Sequence, residues 1–299
     1  MINQNRMIAC ITFAIFLLLS SQRSTFGADA RYAMVVKQNN YTQTGATTPV
    51  SSGSLFAATI GLNPGGSLTS ATIAGPNIAG SKSLAPEGTA QRWSYSESFA
   101  NQALLDASHP NSPVPYTFSI TGAADGAHGT SSLGIFTDGF PQVPQILNAA
   151  ALSSTALANG MTISWNSTKS EWTSLQLIDM SNAQSPVVVF STPDFGQPGA
   201  LDFHTSSITV PGGIVSPDAR MVLNLGFTRL TAVDSVSYPG VPIFSGYISN
   251  TNLEIPVPEP ISAACLFPAL LALTIKRPSG TTFLTRDGRF LRDEPIDQR

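Results

Sequence analysis

The three histidines are the first candidates for metal binding or acid–base chemistry. His109, His128 and His204 lie far apart in the chain, and each is next to residues typical of loops. A zinc site needs three or four ligands that converge, and neighbouring ligands usually share a short spacing. This pattern instead favours solvated loop histidines. We therefore predict no metal site and no cofactor.

Four aspartates in turn-like segments are the next candidates: Asp125, Asp138, Asp194 and Asp202. Two carboxylates held about 5 Å or 6.5–9.5 Å apart can hydrolyse a glycosidic bond, and loop carboxylates can bind Ca²⁺. Aspartate also forms turns by accepting hydrogen bonds from its local backbone. The chain has no Gly-x-Ser-x-Gly, Ser-x-x-Lys, His-Glu-x-x-His or P-loop motif. We predict turn aspartates in a protein that is not an enzyme.

The three tryptophans differ in their surroundings. Trp93 belongs to the alternating segment Trp93–Phe99, and Trp165 follows apolar residues in the same phase, so both are predicted to lie in a core. Trp172 stands between polar residues and is the candidate for an exposed platform that stacks on a sugar ring. This candidate keeps open an alternative function, a surface carbohydrate-binding module or a glycoside hydrolase.

Short strand-like runs separated by turn residues must position these side chains. They predict a mainly β protein with one or two antiparallel β-sandwich units, immunoglobulin-like or fibronectin-like. The units are predicted at 31–140 and 141–252, joined by the proline-containing connector Pro141–Leu147. One short helix is predicted over 101–107, and a Gln/Asn/Thr-rich loop over 38–48.

Composition excludes several classes of function. Residues 31–257 carry seven basic and twelve acidic side chains, a net charge of −5, so we predict no nucleic-acid partner. The two cysteines, Cys10 and Cys265, lie in the apolar terminal segments. The central part of the chain therefore has no disulfide and no thiolate, and a buried core must stabilise it.

The N-terminus has the layout of a secretory signal peptide. Arg6 precedes the uncharged apolar run Met7–Leu19, and a polar stretch then ends in Ala28-Asp29-Ala30. Small residues at positions 28 and 30 predict cleavage after Ala30, so that residues 1–30 form the signal peptide. We therefore expect an exported protein.

The C-terminal stretch 253–277 combines a proline-rich break, an apolar run and a basic pair. The run 261–275 is predicted to be a transmembrane helix, although fifteen residues span only about 22 Å of a hydrocarbon core about 30 Å thick. Lys276 and Arg277 would hold the following end in the cytoplasm. A charged tail, 278–299, follows.

The order Val257-Pro258-Glu259-Pro260, apolar run, basic pair resembles the PEP-CTERM sorting signal of bacterial envelope proteins. The resemblance implies that Pro258, Glu259 and Pro260 are the motif recognised by an exosortase, a membrane-embedded protease or transpeptidase. It implies a non-catalytic protein of the outer surface or extracellular matrix that is transiently membrane-anchored, with exopolysaccharide as a further candidate partner. The tail beyond Arg277 departs from the family, whose signal usually ends near the basic cluster.

Overall fold

The computed structural model describes residues 29–87, 91–124, 126–135, 139–167, 170–202, 204–238 and 240–257. Several predictions fall outside these residues: the signal peptide up to Ala28, the motif Pro258-Glu259-Pro260, the helix 261–275, the basic pair Lys276 and Arg277, and the tail. Within the described part of the chain, no helix is both long and apolar enough to cross a membrane.

Fourteen strands and three short helices make up the described residues. The strands are β1 Ala30–Gln43, β2 Val50–Leu62, β3 Leu68–Ala74, β4 Lys82–Ser83, β5 Ala85–Pro86, β6 Arg92–Phe99, β7 Ser112–Gly122, β8 Gly126–Ile135, β9 Met161–Ser164, β10 Trp172–Asp179, β11 Val187–Ser191, β12 Ser207–Val210, β13 Met221–Asp234 and β14 Ile243–Ile255. The helices are α1 Gln102–Ser108, the 3₁₀ turn Ala149–Ala151 and α2 Ser154–Ala158. The predicted mainly β class is confirmed.

The strands form one large sheet and two smaller ones. The large sheet has the order β11-β10-β13-β14-β1-β2-β6-β5, and the smaller sheets have the orders β4-β3-β7-β8 and β12-β9. Neighbouring strands are antiparallel throughout, except for the parallel pair β1 and β14 at the centre of the large sheet. This sheet takes strands from both the 31–140 and the 141–252 range.

Two hydrophobic cores lie against the same face of β14. Ile243 and Tyr247 belong to the first core, and Leu253 and Ile255 belong to the second. Side chains on a strand alternate between its two faces, and all four residues have odd numbers, so they point to the same face. The first core is closed by residues of the four-stranded sheet, such as Phe118, and the second by residues of the two-stranded sheet and α2.

The predicted connector 141–147 is held against the large sheet by polar side chains. The Thr251 hydroxyl donates to the Pro144 carbonyl at 2.7 Å. The Gln43 amide pairs with the backbone of Ile146 in both directions, at 2.8 and 2.9 Å. These bonds satisfy backbone groups of a segment that lies outside the named strands and helices.

The predicted loop 38–48 is wrong over its first half, because β1 continues through Gln43. β1 lies between β14 and β2, so its backbone is paired on both sides despite the polar sequence. The amide side chains find partners of their own: the Ser54 hydroxyl donates to Asn39 Oδ1 at 2.8 Å. Tertiary pairing here overrides the turn tendency of Asn and Gln.

Other local predictions are confirmed. Trp165 is 1% exposed and its Nε1 donates to the Thr205 carbonyl at 3.1 Å. Trp93 is partly buried against the first core. The predicted helix appears as α1, and the Asn101 side chain caps it by accepting from the Leu104 N–H at 3.0 Å.

Candidate functional site

A buried lysine lies beneath helix α1, at the centre of a polar network. The Lys37 side chain has no exposed surface, and its Nζ contacts Asp106 Oδ1 at 2.6 Å and Asn111 Oδ1 at 2.8 Å. The Tyr247 hydroxyl donates to the same Asn111 oxygen at 3.0 Å. A buried ammonium needs a charged partner and further acceptors, and this arrangement supplies both.

The network also fixes the helix on the sheet. Gln102 Nε2 donates to Asp106 Oδ2 at 3.3 Å, and Asn39 Nδ2 donates to Gln102 Oε1 at 3.0 Å. Both Gln102 and Asp106 belong to α1, whereas Lys37 and Asn39 belong to β1. The position of α1, and of the residues that follow it, is therefore set by hydrogen bonds as well as by the buried Leu105.

His109 follows α1 directly and is buried, so its prediction as a solvated loop histidine is wrong. It is 3% exposed, and its ring stacks on Phe56 with centroids 3.9 Å apart and planes inclined by 5°. The Phe99 ring meets it edge-on at 5.7 Å. Its backbone N–H donates to the Leu105 carbonyl at 2.7 Å as the last hydrogen bond of α1, and the helix ends because the His109 backbone is not helical.

The His109 ring pairs with one carboxylate. Its Nε2 lies 3.1 Å from Glu97 Oε2, and the Tyr95 hydroxyl donates to the same carboxylate oxygen at 3.2 Å. His109 Nδ1 is buried and has no hydrogen-bond partner among the described residues. Burial lowers the pKa of His109, an effect that the hydrogen bond to Glu97 opposes. We therefore treat the ring as neutral, with an Nε2–H that donates to Glu97.

These side chains open onto a groove of about 380 Å³. The groove is bounded by the turn 77–79, by Lys82, by Tyr95 and Glu97 on β6, and by the C-terminal end of α1 with His109. Glu97 is 46% exposed and is the one carboxylate among the described residues that line the groove. Burial, and then the Glu97 charge, raise the pKa of Tyr95, so its phenol stays protonated near neutral pH. The groove thus presents one anionic acceptor, one phenol and one exposed ammonium to a small polar ligand. We call it the His109 groove.

Sequence reasoning missed both polar features for different reasons. Lys37 stands in phase with Ala33 and Val35, so strict alternation could have placed it on the buried face. Its partner Asp106 is 69 residues away, and no local pattern joins the two. Glu97 shares the face of Trp93 and Tyr95 in the β6 alternation, and nothing in the sequence pairs it with His109.

Trp172, the candidate sugar platform, is half-buried at the start of β10. Its ring meets Phe195 edge-on at 6.2 Å, and both rings line a cavity of about 20 Å³. That volume holds about one water molecule and no sugar ring. The Nε1 atom is buried and has no hydrogen-bond partner among the described residues.

Of the four candidate aspartates, the structure describes two, one in a turn and one in an ion pair. Asp202 Oδ1 accepts from the His204 N–H at 3.0 Å and from the Thr205 hydroxyl at 3.1 Å, as a turn aspartate does. Asp194 forms an ion pair with Arg31, and its carbonyl accepts from the Gln197 N–H at 3.0 Å. Asp125, Asp138 and the side chain of His128 lie outside what the structure describes. No group of three or more His, Cys, Asp or Glu side chains in the described ranges is placed to hold a metal ion.

Comparisons with known proteins identify no family. No protein-family model matches the chain, and no curated protein is similar to it. Among solved structures, a marsupial T cell receptor is 6% identical, with 72% of this chain and 74% of the receptor chain covered and a TM-score of 0.23. A score this low carries no conclusion about fold or function.

Proposed function

We propose that this chain is an exported, non-catalytic protein of the bacterial surface or extracellular matrix, delivered by a C-terminal sorting signal. The observation that carries the proposal is the order of elements in 253–277: Pro258-Glu259-Pro260, the apolar run 261–275, and then Lys276-Arg277. An exosortase is the processing partner. The short apolar run, about 22 Å as a helix, suits a transient anchor better than a permanent one.

The described part of the chain supports the proposal that the exported segment is a folded β protein. We assign it the finer architecture of a β-sandwich with immunoglobulin-like or fibronectin-like packing. The large sheet and the two smaller sheets enclose two separate hydrophobic cores between their faces, as two-layer β proteins do. Stability without any disulfide in this region agrees with cores of this extent.

The lining of the His109 groove disfavours one alternative, glycoside hydrolysis at this groove. Hydrolysis of a glycosidic bond by the usual route needs two carboxyl groups that flank the scissile bond. The described lining contributes one, Glu97, whose neighbours are Tyr95 and His109. A binding role needs no second carboxylate.

The sorting proposal is tested by Glu259→Ala in a host that carries an exosortase. We expect the variant to remain in the membrane fraction, whereas the unmodified chain is released to the surface. Glu254→Ala is the matched control: it also removes an acid, five residues earlier, from an exposed ion pair with Arg220 that contributes little stability. Release of Glu259→Ala at the rate of the control refutes the proposal.

A second candidate function, binding of a neutral polysaccharide, is favoured by the His109 groove. The half-buried Tyr95 ring offers an apolar face, and Glu97 offers an acceptor for sugar hydroxyls. The groove volume of about 380 Å³ lies within the usual range of small-ligand sites. Tyr95 is thus a second aromatic candidate beside Trp172.

A polysaccharide array separates the two aromatic candidates. If the groove binds sugar, Tyr95→Ala and Glu97→Gln abolish the array signal and Trp172→Ala retains it. The reverse pattern assigns the site to Trp172. Absence of signal from the unmodified chain, with or without Ca²⁺, rejects the binding function and leaves the sorting proposal intact.

A further inference from the structure

Asp29 joins the two sheets that enclose the first core. It is 4% exposed, and its carboxylate accepts from the Ser67 N–H at 3.0 Å and from the Ala124 N–H at 2.8 Å. Ser67 follows the turn after β2, and Ala124 follows β7. One side chain therefore ties the end of the large sheet to the end of the four-stranded sheet.

The backbone of Asp29 and Ala30 is fixed as well. The Asp29 carbonyl accepts from the Asn63 N–H at 3.0 Å, and Asn63 Nδ2 donates to the Ala30 carbonyl at 3.3 Å. Ala30 is 1% exposed and pairs with Leu62 as the first residue of β1. Both residues are thus part of the folded structure.

Asp29 fits into its site because the two residues beside it, Gly66 and Gly122, have no side chains. A Cβ atom on Gly66 would lie 2.3 Å from the Asp29 carbonyl oxygen, and one on Gly122 would lie 2.4 Å from Asp29 Oδ2. Neither distance is compatible with a side chain. The turn after β2 and the end of β7 are shaped around this aspartate.

Cleavage after Ala30, which the Ala28-Asp29-Ala30 pattern predicts, would remove Asp29. The N–H groups of Ser67 and Ala124 would lose their acceptor, and a space would open beside Gly66 and Gly122. Loss of two hydrogen bonds to a buried carboxylate and unfilled space in its place are both destabilising. The fold is therefore complete only in a chain that retains Asp29.

We propose that the mature chain retains Asp29 and that the signal peptide is cleaved at the Gly27–Ala28 bond. Thr25 and Gly27 provide small residues at the two positions before this bond that need them, as Ala28 and Ala30 do for the later one. Hydrolysis adds one water, which leaves a carboxylate on Gly27 and an amine on Ala28. This inference rests on the proposed export of the chain.

N-terminal sequencing of the protein recovered from the cell surface tests the inference directly. We expect the sequence to begin Ala-Asp-Ala-Arg-Tyr. A sequence that begins at Arg31 overturns the inference and leaves export intact. A chain that keeps Met1 and stays inside the cell overturns both, so the two failures are distinguishable.

A stability comparison tests the physical premise. Full chains expressed without the leader, one beginning at Ala28 and one at Arg31, differ in three residues only. We expect the shorter chain to have a Tm lower by about 5 °C or more, because two backbone N–H groups lose a charged acceptor and the buried space of Asp29 is left unfilled. Asp29→Ala in the longer chain should reproduce this loss, while Asp218→Ala, at an exposed position, should not. Equal Tm values for the two chains overturn the premise.

Discussion

Removal of Asp106 should destabilise the chain strongly, because it leaves the Lys37 ammonium buried without its charged partner. Lys37 has no exposed side-chain surface, whereas Asp106 is 29% exposed. Breaking a buried ion pair by removal of one partner costs about 3–5 kcal/mol. Asn111 Oδ1 still accepts from Nζ at 2.8 Å, so we place Asp106→Ala at the lower end, about 3 kcal/mol.

Urea unfolding of the full chain, followed by tryptophan fluorescence, measures this change. A loss of about 3 kcal/mol corresponds to a Tm lower by about 6–12 °C for a domain of this size. Asp218→Ala, at an exposed position, is the matched control and should change the unfolding free energy by less than about 0.5 kcal/mol.

The double variant Lys37→Met, Asp106→Ala measures the interaction energy between the two side chains. Removal of both charges leaves no unpaired ion, and methionine fills most of the lysine volume. We expect the double variant to be more stable than Asp106→Ala alone, with a coupling energy of at least about 2 kcal/mol. Additive single effects, or a cost below about 1 kcal/mol for Asp106→Ala, would refute the description of Lys37 as a buried, paired ammonium.

Three further predictions concern His109, Gly66 and Trp165. Burial lowers the pKa of His109 in the folded chain below its ordinary value of 6.5. As the pH falls, His109 therefore becomes protonated in the unfolded chain before it does in the folded chain. The free energy of unfolding should keep the whole His109 contribution above about pH 6.5 and decline below it. His109→Gln should flatten that decline in equilibrium unfolding at pH 5.5–6.5, above the range of the carboxylates, and an unchanged slope contradicts the assignment. Gly66→Ala should lower the unfolding free energy by about 1–3 kcal/mol, because the new Cβ would meet the Asp29 carbonyl oxygen at 2.3 Å; a neutral result argues against the described turn. Trp165→Ala should cost about 3–5 kcal/mol in urea unfolding, since the ring is 1% exposed, and a loss under 1 kcal/mol would place it outside the core.

The alternation of buried and exposed side chains along single strands could be predicted from the sequence. The phase of Trp93, Tyr95 and Phe99 predicted one buried face for β6, and all three pack against the first core. Helix α1 could be predicted because its short run of helix-forming residues, and the proline at position 110 that follows it, are local signals. These features depend on residues that are neighbours in the chain.

Long-range pairing was not readable. β1 and β14 are the first and last described strands, and their parallel register, for example Val35 with Ser245, has no signature in either segment. The same limit applies to the side-chain site. Glu97 and His109 are separated by twelve residues and by a helix, and Lys37 and Asp106 by 69 residues. A single sequence supplies residue types and periods, but no contacts between distant segments.

Mass spectrometry that identifies the C-terminal residue of the protein recovered from the cell surface tests the central proposal most directly. If Pro258-Glu259-Pro260 marks the cleavage site, processing removes the apolar run 261–275, which is the anchor. We predict a surface form that lacks residues 261–299 in a host with an exosortase, and an unprocessed membrane form in the same host without that enzyme. A surface form that keeps 261–299, or one unaffected by loss of the exosortase, would contradict the account.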